Sequence, residues 1–463
     1  MTRELHGRRP VHSHRTPTDT HGTDRLPMGE VPAQGIGAND AYDEITSELL
    51  LDGQARLNLA TFVTTWMPST AAKLMAETAD KNMIDKDEYP QTAAIESRCV
   101  NMLANLWHAP EQEGPATGCS TTGSSEAAML AGMALKWRWR ARQEKQGKPT
   151  GRPNLVMGVN VQVCWDKFCR YWEVEPRLVP MEGDRFHLGA EEAVALCDEN
   201  TIGVVAILGS TFDGSYEPIA EIAQALERYE SESGHYVPVH VDAASGGFIA
   251  PFLDPELEWD FRLERVQSIN ASGHKYGLVY PGVGWVVWRQ REALPQELVF
   301  DVNYLGGHMP TFALNFSRPG AQVIAQYYML ASLGRDGYTR VLQNARDVAR
   351  HVADGVYALG TYNLISRGDE LPVFAFATKP EIENYSVFDI SDRLRQRGWL
   401  VPAYSFPENR QDLSVLRIVV RAGMTHEMAE LLLDHLAEQT EFLQSLDAPL
   451  PAPQPEARKA FHH

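Results

Sequence analysis

Five short, almost continuous runs of apolar residues most constrain how this chain can fold. They cover residues 155–159, 201–208, 237–241, 266–269 and 283–288. A strand with one face in water alternates apolar and polar residues, so unbroken runs indicate strands of a sheet that is covered on both faces. Helix-forming segments, including 124–145 and 219–229, lie between these runs. The alternation predicts an α/β fold with a large, doubly wound, mainly parallel sheet.

The same pattern divides the chain into five parts. We expect a disordered N-terminal tail (1–38), a short helical segment (39–58), a large domain (59–341), a smaller C-terminal α/β domain (342–448) and a flexible proline-rich tail (449–463). In the smaller domain, residues 373–377 and 415–420 are predicted strands, and residues 426–446 favour a helix.

Charge and cysteine content exclude several classes of protein. The chain carries 42 basic and 61 acidic residues, a formal charge of −19. Because phosphate contacts need a local excess of Lys and Arg, we expect no binding to nucleic acid. The five cysteines form no Cys-x-x-Cys pair, so neither a disulfide framework nor a metal site is expected. No apolar run is long enough to cross a bilayer and the first residues lack a signal-peptide core, which predicts a cytoplasmic location.

Two polar residues follow predicted strands and suggest a chemistry. Lys275 lies in the small-residue turn 272–277, and Asp242 ends the run that begins at Pro238. In open α/β sheets, functional groups lie at the carboxyl ends of the strands. Taken singly, a lysine is more often a solvated charge, and an aspartate is as often a cap or turn residue. Together they match pyridoxal phosphate, which needs a lysine for a Schiff base and a carboxylate for its pyridine nitrogen.

A third motif, Ser124 and Ser125, precedes an apolar helical stretch. Serine hydroxyls and free N–H groups at the first turn of a helix can bind a phosphate, helped by the helix dipole. An ordinary helix N-cap has the same residues, and this alternative stays open on the motif alone.

Five longer strings carry a resemblance to a known family. They are Gly123–Ala127, Val161–Trp165, His240–Phe248, Ser272–Gly277 and Asn315–Pro319. Their order and spacing resemble those of bacterial and plant glutamate decarboxylases, and the resemblance extends from about residue 57 to about residue 423. It implies the aspartate-aminotransferase fold (fold type I of pyridoxal-phosphate enzymes). It also implies conversion of L-glutamate to 4-aminobutyrate and carbon dioxide, with one proton consumed.

The resemblance assigns the cofactor residues by matching motif. Lys275 would form the Schiff base, with His274 beside it as the second catalytic residue, and Asp242 would pair with the ring nitrogen. The remaining cofactor residues would be Ser124 and Ser125 on the phosphate, Gln162 and Ala244 on the two faces of the ring, Thr211 near the phenolic oxygen, and Ser317 reaching the phosphate from a neighbouring subunit. A residue shared in this way implies at least a homodimer, and family members also form hexamers.

The resemblance also places the substrate. Arg421 would hold the α-carboxylate of glutamate in a charge-assisted fork. The side-chain carboxylate would lie near Thr61, Phe62, Asn82 and Asp85. If Asp85 faces that carboxylate, two like charges raise one pKa and the enzyme is acid-activated. A solvated acidic face is the alternative explanation of Asp85.

The C-terminal end of the chain resembles one part of this family and differs from another. The histidine-bearing end Phe461-His462-His463 is similar to the tail that plugs the site of acid-active bacterial members, so we expect His462 or His463 to act as a pH gate. A residual tag or a solvated tail is the alternative. The C-terminus lacks the basic, tryptophan-bearing extension of plant members, so no regulation by calmodulin is expected.

Other functions remain to be separated from this one. Related decarboxylases act on cysteine sulfinate or aspartate, and a non-catalytic scaffold could keep the same fold. A scaffold would be expected to lose Lys275 or Asp242, and both are present. Because the reaction consumes a proton, acid resistance is the expected role.

Overall fold

The computed structural model describes residues 29–446, except Pro32 and 303–308, together with Ala448 and Leu450. Two compact units divide between Asn58 and Leu59. The first contains helix α1 (Ala38–Glu48), which starts one residue before the predicted helical segment, and two short 3-10 turns. Most of the predicted N-terminal tail and nearly all of the C-terminal tail lie outside the described residues.

The second unit contains thirteen described strands. They are β1 (Gly118–Thr121), β2 (Asn154–Gly158), β3 (Glu175–Val179), β4 (Thr201–Ile207), β5 (Val239–Asp242), β6 (Val266–Ala271), β7 (Gly284–Trp288), β8 (Phe300–Val302), β9 (Met309–Thr311), β10 (Tyr362–Leu364), β11 (Val373–Thr378), β12 (Ala403–Ser405) and β13 (Ser414–Val419).

Ten α-helices of the second unit are described. They are α2 (Ser69–Glu77), α3 (Pro90–Leu106), α4 (Ser124–Lys145), α5 (Val163–Tyr171), α6 (Ala190–Ala195), α7 (Ile219–Ser233), α8 (Ala250–Leu253), α9 (Ala321–Ala358), α10 (Val387–Gln396) and α11 (His426–Gln444). None of the described helices has both the length and the apolar content needed to cross a membrane.

The large sheet has seven strands in the order β1-β7-β6-β5-β4-β2-β3. The four neighbouring pairs from β6 to β3 are parallel, and β7 is antiparallel to both of its neighbours. The predicted doubly wound, mainly parallel sheet is therefore confirmed. Because strands β4, β5 and β6 are parallel neighbours, their carboxyl ends meet at one edge, where a site can form.

Hydrophobic packing on both faces explains the apolar runs. Val204 of β4 and Val287 of β7 enter one hydrophobic cluster, whereas the next residue along β4, Val205, and the preceding one in β7, Val286, enter another. Successive side chains of a strand point to opposite faces, so the sheet is covered on both sides.

The smaller sheet has four antiparallel strands in the order β10-β11-β13-β12. It contains both strands predicted near the C-terminus, and α11 begins at the predicted residue. The predicted boundary between a large and a small domain, after residue 341, falls inside α9 and stays a prediction. A break in that helix lies earlier, at Gly334, whose φ is 59°.

Candidate active site

A cavity of about 340 Å³ opens at the carboxyl ends of β5 and β6. Asp242 is the last residue of β5, and the turn after β6 carries His274 and Lys275. The predicted residues that line this cavity are Ser124, Ser125, Gln162, Asp242, Ala244, His274 and Lys275. Four separate stretches of sequence therefore meet around one space.

Lys275 is held at the wall of the cavity. Its Nζ lies 3.1 Å from the Ser245 Oγ and 5.1 Å from the centre of the Phe62 ring. Burial lowers the pKa of Lys275, while the negative charge of Asp242 opposes this effect. A lower pKa leaves a larger fraction of the amine neutral, which is the nucleophilic form.

Asp242 is only 4% exposed, and three donors fix its carboxylate. The Trp165 Nε1 donates to Oδ2 at 2.8 Å. The Asn270 Nδ2 and the Ala244 N–H donate to Oδ1 at 3.0 and 3.2 Å. Donors of this kind stabilise the ionised carboxylate and hold it in one orientation.

A buried histidine completes the support beneath this carboxylate. The His240 ring lies between the Ser268 Oγ, 2.8 Å from Nδ1, and the Asn270 Oδ1, 2.7 Å from Nε2. Burial lowers the pKa of His240 to about 4, so the ring is neutral at ordinary pH. The hydrogen bond between the His240 Nε2 and the Asn270 Oδ1 fixes the Asn270 amide, so that its NH₂ group faces Asp242.

The first turn of α4 packs closely against β7 and against residues 272–277, the turn that carries Lys275 (the lysine turn). The Ser124 Oγ lies 2.6 Å from the Ser272 Oγ. A Cβ on Gly284 would lie 2.7 Å from the Ser124 backbone nitrogen, and a Cβ on Gly123 would lie 3.0 Å from the His274 ring. Glycine at these positions lets the free N–H groups of a 22-residue helix border the cavity, where they favour an anion.

His274 presents a buried nitrogen to this region. Its Nδ1 has no hydrogen-bond partner among the described residues. Burial, together with the charge of Lys275, lowers the pKa of His274 to about 4. The imidazole is therefore neutral, and a buried polar atom without a partner is costly unless a ligand satisfies it.

Thr211 joins the cavity through Gln162. It is not in the cavity lining, but the Gln162 Nε2 donates a hydrogen bond to its Oγ1. Gln162 is the residue before α5, and Thr211 lies in the loop after β4. Both therefore follow the carboxyl ends of neighbouring parallel strands, as the fold requires of site residues.

The segment with Thr61 and Phe62 is held between Arg421, which follows β13, and the turn that carries Lys275. Arg421 donates from Nη1 to the Val63 carbonyl and to the Thr65 Oγ1, both at 2.8 Å. On the other side, the backbone N–H of Thr64 donates to the His274 carbonyl at 2.7 Å. The structure thus brings Phe62 and Arg421 to the same segment, beside the lysine turn.

Asn82 and Ser317 form a second, separate cluster. The Asn82 Nδ2 donates to the Ser317 Oγ at 3.3 Å, and the Asn82 Oδ1 accepts from the Arg318 N–H at 3.1 Å. Asp85 lies in the same turn, and its backbone N–H donates to the Asn82 carbonyl at 3.2 Å. Ser317 is exposed, and none of the three predicted residues lines the 340 Å³ cavity. Within one chain, these residues do not join Lys275.

Comparison with known proteins identifies the family. The model described as the pyridoxal-dependent decarboxylase conserved domain matches residues 33–379. This chain belongs to the pyridoxal-dependent decarboxylases. Glutamate decarboxylase of Aliivibrio fischeri is 53% identical to it over 90% of both chains. Glutamate decarboxylase 5 of Arabidopsis thaliana is 48% identical over 94% of this chain and 88% of its own.

Solved structures agree with this family. A glutamate decarboxylase structure from Lactobacillus brevis has a TM-score of 0.88 and 47% identity, and the match covers 91% of this decarboxylase and 96% of that chain. A sphingosine-1-phosphate lyase of Burkholderia pseudomallei shares the fold, with a TM-score of 0.77 at 21% identity over 90% and 93% of the two chains. The predicted aspartate-aminotransferase-like fold is confirmed.

The cavity of this decarboxylase fits the cofactor of its family, pyridoxal phosphate. A phosphate would meet the free N–H groups at the positive end of the α4 dipole, where Gly123 and Gly284 allow the close packing of this turn against His274 and β7. The unpartnered His274 Nδ1 is available to a ligand atom. Lys275 and the anionic Asp242 border the same cavity, as the chemistry of this cofactor demands.

Several residues that organise the site were not assigned from the sequence. Trp165, Ser245 and Ser272 lie inside the recognised strings, so the signal was present without a role. Asn270 lies outside them, and its place at the end of β6 is its only sequence signal. Their roles depend on contacts between separate strands, which the order of residues does not reveal.

Glu126 ties the start of α4 to the segment that leads to Ser317. Its buried carboxylate accepts hydrogen bonds from the Thr122 N–H and hydroxyl, at 2.8 and 3.0 Å, and from the Leu314 and Asn315 N–H groups, at 3.0 and 3.2 Å. We expect Glu126→Gln to lower the free energy of unfolding by about 1–3 kcal/mol, because its NH₂ would face donors. Urea unfolding would measure this, with the exposed Glu441→Gln as a control. Equal stability of the two variants would contradict this role of Glu126.

A half-buried carboxyl, that of Glu370, predicts a pH-dependent stability. The Glu370 Oε2 accepts from the Tyr216 N–H at 2.7 Å. Burial raises the pKa of Glu370 from 4.5 to about 7, although this hydrogen bond opposes the shift. The folded protein therefore binds this proton more tightly than the unfolded chain does. The stabilisation by the protonated Glu370 carboxyl is complete below pH 4.5 and is lost as the pH rises through about 7.

Glu370→Gln should remove this dependence, because an amide oxygen can still accept from Tyr216 and does not titrate. We expect the parent to lose about 1–2 kcal/mol more than the variant across this pH interval. Urea unfolding at both ends of the interval would measure it, beside the exposed Glu381→Gln. If the free energy of unfolding changed equally with pH in the parent and in Glu370→Gln, the Glu370 carboxyl would not contribute to the pH dependence of stability.

Proposed function

We propose that this decarboxylase converts L-glutamate to 4-aminobutyrate and carbon dioxide with pyridoxal phosphate as its cofactor. The observation that carries the proposal is the meeting of Lys275, Asp242 and the start of α4 at one cavity. Relatives named glutamate decarboxylase, 48–53% identical over about nine-tenths of the chain, support the choice of substrate.

The residues of the cavity would hold the cofactor in a defined way. Lys275 would bind it covalently, and Asp242 would pair with its ring nitrogen. Phosphate binding would fall to Ser124, Ser125 and His274, with Gln162 and Ala244 on the ring and Thr211 near its phenolic oxygen. When bound, pyridoxal phosphate accepts the electrons of a bond broken at the substrate Cα. Because Asp242 is buried and held by three donors, its carboxylate has a fixed position from which it would pair with the ring nitrogen.

Orientation decides which bond at Cα breaks. Arg421 would hold the α-carboxylate, and its bonds to Val63 and Thr65 keep the guanidinium in one position. A fixed carboxylate directs the reaction to the bond between Cα and the carboxylate carbon, and away from loss of the α-proton. The proton that replaces carbon dioxide would come from the ammonium form of Lys275, the described lysine that lines the cavity.

A second subunit would complete the site. Ser317, Asn82 and Asp85 form one cluster outside the cavity of their own chain, and Ser317 is exposed. Ser317 would reach the phosphate of a partner subunit, and Asn82 and Asp85 would approach the distal carboxylate of its substrate, opposite Thr61 and Phe62. The active form would then be at least a homodimer, with a hexamer as the larger assembly.

Four further expectations stay predictions. His462 and His463 lie outside the described residues, so their role as a pH gate is open to direct test. Acid activation, a cytoplasmic location and independence from calmodulin likewise rest on the sequence.

The proposal is tested by carbon dioxide release from L-glutamate across a range of pH. L-aspartate and cysteine sulfinate serve as competing substrates, because related decarboxylases use them. We expect kcat/KM for L-glutamate to exceed both, and a visible absorbance band from the bound cofactor. Preference for either competitor would replace the substrate assignment. Absence of the band after incubation with pyridoxal phosphate would overturn the enzyme assignment.

A further inference from the structure

Arg417 is a buried arginine next to the site that has no role in the assignments above. It lies in β13 and is 8% exposed. Its Nη1 donates to the Thr211 carbonyl and its Nη2 to the Ala60 carbonyl, the latter at 2.6 Å. One guanidinium fork therefore joins the loop of Thr211 to the segment that carries Phe62.

The same guanidinium shares an aromatic ring with the lysine. The Arg417 guanidinium carbon lies 4.9 Å from the centre of the Phe62 ring, and the Lys275 Nζ lies 5.1 Å from that centre. Both distances fall within the range of cation–π contacts. The side chains of Arg417 and Lys275 therefore both contact the Phe62 ring, and the positive charge of each destabilises the positive charge of the other.

The charge of Arg417 is not neutralised by the described part of the chain. No described carboxylate lies within ion-pair distance of it, and its Nε is buried with no described partner. The aromatic faces of Phe62 and of Tyr404, 5.6 Å away, take the place of an anion. An unneutralised buried charge acts strongly on its neighbours, because little water screens it.

Charges from three elements act on Lys275, in addition to burial. Asp242 of β5 and Cys164 of α5 raise its pKa, and Arg417 of β13 lowers it. Arg417 is thus the positive group that opposes Asp242 at this lysine. His274, the neighbouring residue in the turn, is neutral.

We propose that Arg417 is a positioning residue with two separable effects: its fork fixes Phe62 and the Thr211 loop beside Lys275, and its charge disfavours a positive charge at Lys275. The inference rests on the proposed function, since it concerns the same lysine. A simpler alternative is that Arg417 only satisfies two buried carbonyl groups. The two explanations predict different results for Arg417→Lys, which keeps the positive charge and loses the hydrogen bonds to the two carbonyl groups.

The test compares Arg417→Lys and Arg417→Met in the full-length holoenzyme. Lysine keeps the charge and loses the fork, whereas methionine loses both. The visible absorbance of the bound cofactor, titrated with pH, reports protonation at its link to Lys275. We expect Arg417→Met to move the midpoint upward by roughly half to one pH unit, and Arg417→Lys to stay near the parent. Both should raise KM for L-glutamate by about tenfold, because both lose the fork.

Arg346→Met is the matched control. Arg346 is 7% exposed, against 8% for Arg417, and it pairs with Asp254 at 2.6 Å, away from the cavity lining. It should lose stability without moving the absorbance midpoint. Arg417→Gln replaces the methionine variant if that protein does not fold.

The outcomes separate the two proposals. Equal midpoints in parent and Arg417→Met, or equal shifts in both Arg417 variants, would overturn the charge effect. An unchanged KM in Arg417→Lys would overturn the role of the fork. If the parent binds the cofactor and does not decarboxylate L-glutamate, the proposed function fails while the absorbance titration still tests Arg417.

Discussion

Replacement of Lys275 by alanine should abolish covalent attachment of the cofactor and lower kcat by at least about 1,000-fold, since both nucleophile and proton donor are lost. Lys275 is the described lysine that lines the cavity, and its Nζ is held by Ser245. Borohydride reduction followed by peptide mapping would locate the cofactor adduct, and carbon dioxide release would give kcat. The parent should carry the adduct on Lys275, and the variant should carry none.

Lys145→Ala is the matched control for this experiment. Lys145 is exposed in the last turn of α4, the helix whose first turn borders the cavity. Its removal should leave both the adduct and kcat unchanged. A reduced adduct on another lysine of the parent would contradict the assignment of Lys275, whatever the activity of the variant.

Asp242→Asn should lower kcat by about 100- to 1,000-fold, because a buried, preorganised charge at the ring nitrogen would be lost. Asparagine keeps the size of the side chain, so the cavity should keep its shape. Its NH₂ would, however, face one of the donors that now point at the carboxylate, the Trp165 Nε1 or the Asn270 Nδ2. We expect a small loss of stability beside the large loss of kcat, both measurable on one preparation.

Asp198→Asn separates the catalytic effect from the structural one. Asp198 also accepts from an asparagine, Asn154, and it lies outside the cavity. Its replacement should cost stability and leave kcat near the parent value. A kcat for Asp242→Asn close to that of the parent, with the cofactor bound, would exclude an electrostatic role for Asp242.

The large sheet shows how far hydrophobic pattern predicts structure. The five strands found as apolar runs are buried at every position, and most of their residues are apolar or small. The two strands missed, β1 and β3, lie at the edges of the sheet. β1 is the short, small-residue run Gly118–Thr121, and β3 has mostly exposed residues, so neither carries the pattern of a buried strand.

The candidate site divides in a similar way. Lys275, Asp242, Ser124 and Ser125 could be found because each belongs to a local string with its own chemistry. Asn270 and Arg417 could not be assigned, since their roles come from contacts with residues 28 and 357 positions away, at Asp242 and Ala60. Such contacts exist only after the strands have paired.

The sequence by itself determined the fold class, the cofactor chemistry and the family, because each depends on local residue types in a recognisable order. Only the tertiary structure decided which residues share a site. It placed Lys275 and Asp242 at one cavity and set Asn82 and Ser317 apart from them. It also placed the Arg417 guanidinium against the Phe62 ring, which Lys275 contacts as well. The physical reason is that electrostatic effects and hydrogen bonds act over a few ångströms in space, and chain order does not specify those distances.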